Sequence, residues 1–387
     1  MPRRRLNFLP GEAPQNLEAI DCDLLVMAAY DALGIKKYPK QPESRGYIPT
    51  GKLRKFIHLM LVTGVAWPQG KLWAEVGEDS GVDRVVDSMM ETFSTAAAMS
   101  GTPGSTLEHL YRLIPAYFPN IFEGLARLFG EFLSEKRLAV TWLRSAATGP
   151  LLEPHWKDTS LGSMIMCDGI IMQLGMFLPR SQLVCGPALV FHSTPGEEVN
   201  MAEFESRTNG LKRTVFLIKG KTIPGRRWEG GKTTWQGSLL NVKTPRQEPE
   251  TRTYGVYLPE PWQTTGEFTY GGQGMVLFRL EPIHEVFPIE GTKEHDYMWF
   301  PEPREGRRSM ITFGSPGRPR RWQKASWPWP SLAHLGGVSL MVDGGMKNAV
   351  FLHDRRHAYS FRPSVLDEKR VVNEVLAVER VEVWRFR

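Results

Sequence analysis

Cysteine is scarce in this chain. Cys22, Cys167 and Cys185 stand far apart, none in a CxxC pair, which excludes a disulfide framework and a thiolate zinc site and suits a reducing compartment. No apolar run reaches the roughly 20 residues that span a bilayer. The best stretch, Ile165 to Leu178, is broken by Asp168 and Gly169. The start, MPRRRLNFLPG, has a basic head without an apolar segment behind it, so no secretory signal is expected. Pro2 likewise excludes N-myristoylation of this start. The composition, 41% apolar and 23% charged, is that of a folded globular protein. At 387 residues two domains are the expectation.

Reactive constellations are equally scarce. HDRRH, His353 to His357, spaces two histidines as a zinc protease does, but Asp354 stands where the glutamate is needed and both flanks read as strands. GTPGST, Gly101 to Thr106, lacks the lysine of a phosphate-binding loop and reads as a helix cap. No GxSxG elbow occurs, and Ser339 sits in a strand pattern. DCDLLV at Asp21 fails the calcium-loop spacing after Asp23. Glu281, Glu285, Glu294 and Asp296 lie near His284 and His295, which allows an acid and base pair on paper, as in most chains of this length. No catalytic residue, cofactor or metal is therefore assigned.

What the chain does hold is a local excess of positive charge. Between Arg304 and Lys324 seven basic residues, Arg304, Arg307, Arg308, Arg318, Arg320, Arg321 and Lys324, face a single acid, Glu305. Pro316, Gly317 and Pro319 exclude a regular helix, so the stretch reads as an exposed loop. Such a loop keeps a surface solvated or contacts an anionic partner.

Two periods divide the sequence. Up to about residue 150 apolar residues recur at three and four: Leu107, Leu110, Tyr111, Ile114, then Phe122, Leu125, Leu128, Phe129, Phe132. These are helical faces. Ser105 or Thr106 is the cap of the first, with Glu108 inside its first turn, and Asn120 precedes the second. Residues 151–181 mix small residues, Pro and Gly and read as a connecting segment. From about 182 to 387 short runs rich in Val, Phe, Ile and Trp are closed by Gly, Pro or Asp, as strands are. Several are apolar on both faces, which requires burial inside a sandwich or under helices. The stretch 224–252 is long, polar and Gly-rich and reads as a mobile insertion. The fold class is α+β: a helical N-terminal region of residues 1–150, then an antiparallel β-sandwich flanked by a few helices. The two halves are expected to have separate cores.

The last strand carries the strongest prediction. In VERVEVWRFR, Val381 and Val383 point one way and Glu382, Trp384 and Phe386 the other. Apolar groups on both faces place it inside a core.

The order TVFLIKG, TYGVYLPEPW, GMVLFRLEPIHEVFP, DYMWF, ITFGSP, LGGVSLMVDGGMKNAVFLHD and VERVEVWRF resembles the TLDc-domain family, most nearly its fungal telomere-capping branch, over about residues 180 to 387. The resemblance implies a β-sandwich with flanking helices and no established active site, in a family of oxidation-resistance proteins and regulators of the vacuolar proton-pumping ATPase. It therefore implies a non-enzymatic cytosolic protein, at the vacuole surface when bound, whose partner is a peripheral part of that pump. Two departures stand out: members of that branch begin with Gly at position 2, and the Arg304 to Lys324 stretch is more basic than the family pattern. A nucleic-acid-linked role rests on those basic residues beside Trp322, Trp327 and Trp329. An enzyme of unrecognised type is the third class.

Overall fold

The structure is a computed structural model that describes residues 47–66, 81–122, 165–178, 187–193, 198–224, 226–227, 240–241, 248–264, 274–289, 298–300, 310–314, 338–353, 361, 364–366 and 372–386. Five helices are described: α1 (Thr50–Ala66), α2 (Val82–Met99), α3 (Leu107–Tyr117), α4 (Asp168–Gly175) and α5 (Met201–Thr208). Twelve strands accompany them: β1 (Pro187–His192), β2 (Thr214–Thr222), β3 (Arg226–Arg227), β4 (Leu240–Asn241), β5 (Thr251–Leu258), β6 (Val276–Glu281), β7 (Glu285–Pro288), β8 (Met298–Trp299), β9 (Met310–Phe313), β10 (Val338–Asp343), β11 (Asn348–His353) and β12 (Val372–Phe386). The predicted α+β class is observed.

Ten strands are hydrogen-bonded in the order β7-β6-β5-β2-β12-β11-β10-β9-β8, with β1 also on β12. Every pairing is antiparallel. In a flat sheet β2 and β9, four strands apart, would be separated by about 19 Å, at about 4.8 Å per step. Yet the Phe216 ring of β2 lies 5.4 Å from Phe313 of β9, and Phe287 of β7 lies 5.7 Å from Phe351 of β11. The sheet is folded over on itself, which makes the sandwich. The hinge strand is β12: Val372 to Ala377 pair with β11, while Glu382 to Arg385 pair with β2 on one side and β1 on the other. A register shift between Val378 and Arg380 marks the bend.

Alternation then assigns the faces. Phe216, Ile218, Val256, Leu277, Val381 and Val383 fill the space between the sheets. Val215, Leu217, Tyr257, Phe278, Leu280, Trp384 and Phe386 point outward, and α1 to α4 cover them in one continuous core with Phe56, Met89, Phe93, Leu113 and Leu174. The expectation of separate cores is corrected here: the helical layer and the sandwich share one. The physical reason is the two-faced apolar strand, which needs a second cover on its outer side. Gly255 in TYGVYL shows how tight the cover is. A Cβ there would lie 2.3 Å from the Phe278 ring and 2.7 Å from Leu217.

The segment 151–181 carries more than a connection. Its α4 is buried at Gly169, Ile170, Ile171, Met172, Gln173 and Leu174, as a helix apolar all round must be. Its start abuts that of α2, where a Cβ on Gly169 would lie 2.7 Å from the Gly81 carbonyl.

GTPGST ends in a cap, as predicted. Thr106 accepts from the His109 amide, and His109 Nδ1 accepts in return from the Thr106 amide at 3.1 Å. The reciprocal partner is His109, whose Nε2 also lies 3.0 Å from Ser100 Oγ. Thr106→Ala is expected to lower stability by about 1 kcal/mol, which a denaturant midpoint measures. Asn120 serves a different helix end: its Nδ2 donates to the Gly175 and Leu178 carbonyls at 3.2 and 2.8 Å. Of the helix predicted after it, Ile121 and Phe122 lie in a turn, and the remainder through Phe132 lies outside the described residues. Of the insertion 224–252, β3 pairs with β4 and β5 begins inside its predicted limit.

Candidate functional site

The turn between β6 and β7, from LEPIHEVF, enters the helical layer. His284 is fully buried there and touches three helices. From α2, Thr92 Oγ1 accepts from the His284 amide at 3.1 Å and lies 2.8 Å from its carbonyl, while Ser88 donates to the Leu280 carbonyl. At the end of α3, the Tyr117 carbonyl lies 3.1 Å from His284 Nε2, and the ring of the next residue, Phe118, stacks at 4.7 Å. From α4, Gln173 Nε2 lies 2.8 Å from His284 Nδ1 and 3.1 Å from the Leu280 carbonyl, with Phe177 at 5.6 Å from the ring. A neutral imidazole fits this set: Nε2–H donates to Tyr117, and Nδ1 accepts from Gln173. Burial pulls the His284 pKa down from 6.5 to about 4, against the Tyr117 carbonyl, which favours the charged form.

Glu285, the next residue, turns the other way. It pairs with buried Arg279 and accepts from Ser364, whose hydroxyl lies 2.7 Å from Tyr117 Oη. Tyr117 Oη in turn accepts from the Val365 amide at 2.9 Å. Burial first, then the Glu285 charge, raise the Tyr117 pKa, and burial with Glu374 does the same for Tyr254, which donates to Glu374. A small cleft here is lined by Thr95, Arg279, Glu285, Phe351, His353 and Ser364. Glu281 accepts from Thr253 at 2.6 Å and meets Arg84 at 2.7 Å.

A second buried carboxylate closes the layer. Glu382 of β12 accepts from the Ile165 and Met166 amides at 2.6 and 3.0 Å and from Trp384 Nε1 at 2.8 Å. It holds the chain entering α4 against the sheet.

These carboxylates and histidines hold elements together. His284 has both ring nitrogens engaged and Glu285 is ion-paired, so the acid and base pair drawn from sequence is not set up at this turn; Glu294, His295 and Asp296 lie outside the described residues. His353 ends β11 and accepts from the Ser364 amide at 3.0 Å, while Asp354 to His357 lie outside. Among the described residues no three His, Cys, Asp or Glu converge as a metal set. The basic stretch is not one loop: Met310 to Phe313 within it form buried β9, because the β-rich run MITF, with its three apolar side chains, is drawn into the sheet. Arg304, Arg307, Arg308, Arg318, Arg320, Arg321 and Lys324 all lie outside the described residues. Sequence reasoning missed Gln173 and Glu382 as polar anchors. The available signal was a polar residue inside an apolar run, at GIIMQLG and VEVWRF. Among the described residues no helix is long and apolar enough to cross a membrane.

Residues 159–387 match the TLDc domain. The chain is 31% identical to a Neurospora crassa protein called restriction of telomere capping protein 5, over 96% of this chain and 64% of that protein. It is 29% identical to the Fusarium vanettenii protein of the same name, over 93% and 59%, and 31% identical to the Sordaria macrospora one, over 87% and 60%. It thus spans about three fifths of the length of these curated relatives.

Proposed function

This chain belongs to the TLDc-domain family, and on that premise we propose that it is a non-enzymatic binding protein that regulates assembly of the vacuolar proton-pumping ATPase from the cytosolic side. The TLDc match over residues 159–387 carries the reading. The pump comes from the family resemblance, and the fungal relatives' names add a telomere-capping link to the same family. The buried polar groups described support it, since His284, Gln173 and Glu382 hydrogen-bond across the boundary between the helical layer and the sandwich. The mechanism is differential binding: a protein that prefers one state of the assembly shifts the population toward it.

The test is a pull-down of the full chain from fungal lysate, from glucose-fed and from starved cells. Peripheral-sector subunits should be recovered, in amounts that differ between the two conditions. Recovery of no pump subunit in either condition contradicts the proposal. Steeply salt-dependent binding to single-stranded DNA instead would favour the basic-stretch reading.

A further inference from the structure

The β6–β7 turn is built as a key. Its tip, His284, joins α2 through its backbone, whose amide donates to Thr92 Oγ1, and joins the end of α3 and α4 through its ring, which meets the Tyr117 carbonyl and Gln173 and stacks on Phe118. Its two ring nitrogens face opposite kinds of group, a carbonyl acceptor and an amide donor. That set is complete only for the uncharged ring. A proton added at Nδ1 would point at the Gln173 Nε2 donor. Turning the Gln173 amide over relieves that clash, but it withdraws the Nε2 bond from the Leu280 carbonyl and leaves the charge buried between Phe118 and Phe177.

Among the described residues no charged group is placed to compensate. On its own hairpin, Arg279 and Glu285 pair with each other, and Glu281 is taken by Arg84 and Thr253. On α2, Asp87 and Glu91 are exposed, and Ser88 and Thr92 are the residues turned to the key. On α3, His109 is held in its cap and the Tyr117 hydroxyl is turned to Ser364. On α4, Asp168 is exposed.

We propose that His284 is a proton-operated latch: protonation of its ring releases the helical layer α2 to α4 from the outer face of the sandwich while the sandwich itself stays folded. The sign follows from linkage. A histidine whose folded pKa lies below its unfolded value stabilises the closed form fully above about 6.5, and that stabilisation is lost as the pH falls toward about 4. The open fraction should therefore rise roughly twenty-fold between neutral pH and about pH 5. Mild acidification would uncover the apolar face formed by Val215, Leu217, Phe278 and Trp384.

Hydrogen exchange on the full chain, corrected for the intrinsic pH dependence of exchange, tests this. In the wild type, α2 and α4 amides should lose protection by about that factor between pH 7 and pH 5, while β10 and β11 amides keep theirs. His284→Gln, which cannot take up a proton, should flatten the pH dependence even if its protection is lower throughout. Three results overturn the latch: pH-independent protection of α2 and α4, parallel loss in β10 and β11, or an unchanged slope in His284→Gln. Should the variant fail to fold, the wild-type contrast between α2 and β10 still decides.

Discussion

Trp384→Ala is expected to lower the stability of the whole chain by about 3 to 5 kcal/mol. The indole is 1% exposed, lies in the core shared by sheet and helices, and donates to Glu382 at 2.8 Å. Its loss leaves a large cavity and removes one of the three donors that satisfy that buried carboxylate. Removing Val381 to Arg387 altogether takes away the pairing of β12 with β1 and most of its pairing with β2. Because Trp384 and Phe386 belong to the core that α1 to α4 close, the truncated chain should lose helical as well as sheet structure. Thermal unfolding and far-UV circular dichroism measure both. A Trp384→Ala variant that melts within a degree or two of wild type would show the indole to be a surface contact, and a truncated chain that keeps its helical signal would restore the separate-core picture.

Glu382→Ala is the second large effect. The carboxylate is fully buried and serves two backbone amides and the indole. Deleting it leaves three buried donors without an acceptor. A cost of about 3 kcal/mol or more is expected, since each bond to a charged group contributes about 1.5 to 3 kcal/mol. Glu382→Gln keeps one acceptor oxygen and should recover part of the loss. The local signature is faster exchange at Ile165, Met166 and the first turn of α4, ahead of any change in β10. Equal stability of Glu382→Ala and wild type would mean that water replaces the carboxylate.

The sandwich was legible because its strands announce themselves one by one. TVFLIKG, TYGVYL, SMITFG and VEVWRF each carry a short β-rich run with a clear stop, and the two-faced pattern at Val381 to Phe386 placed that strand in the interior. Period alone could not show that both faces of one strand serve different neighbours. Val383 goes to the other sheet and Trp384 to the helices, a division that needs the fold. PALVFH escaped because its Pro and half-exposed residues lack a run of buried positions. The 165–178 stretch is harder still: too short and broken for a membrane span, it resembles a connection in sequence, although eight residues are enough for a core helix when Gln173 finds buried partners. The polar hub was half visible. LEPIHEVF stood out as a family phrase, but nothing in it says that His284 points into three helices while Glu285 turns to Arg279.

Titration of the purified full chain against the purified peripheral sector of the vacuolar proton pump tests the central claim most directly, with the assembled pump in membranes as the second titrant. Saturable binding is predicted, with different affinities for the free and the assembled sector, since only a difference can shift assembly. The absence of saturable binding to either, with the chain shown folded by its cooperative melt, would contradict it.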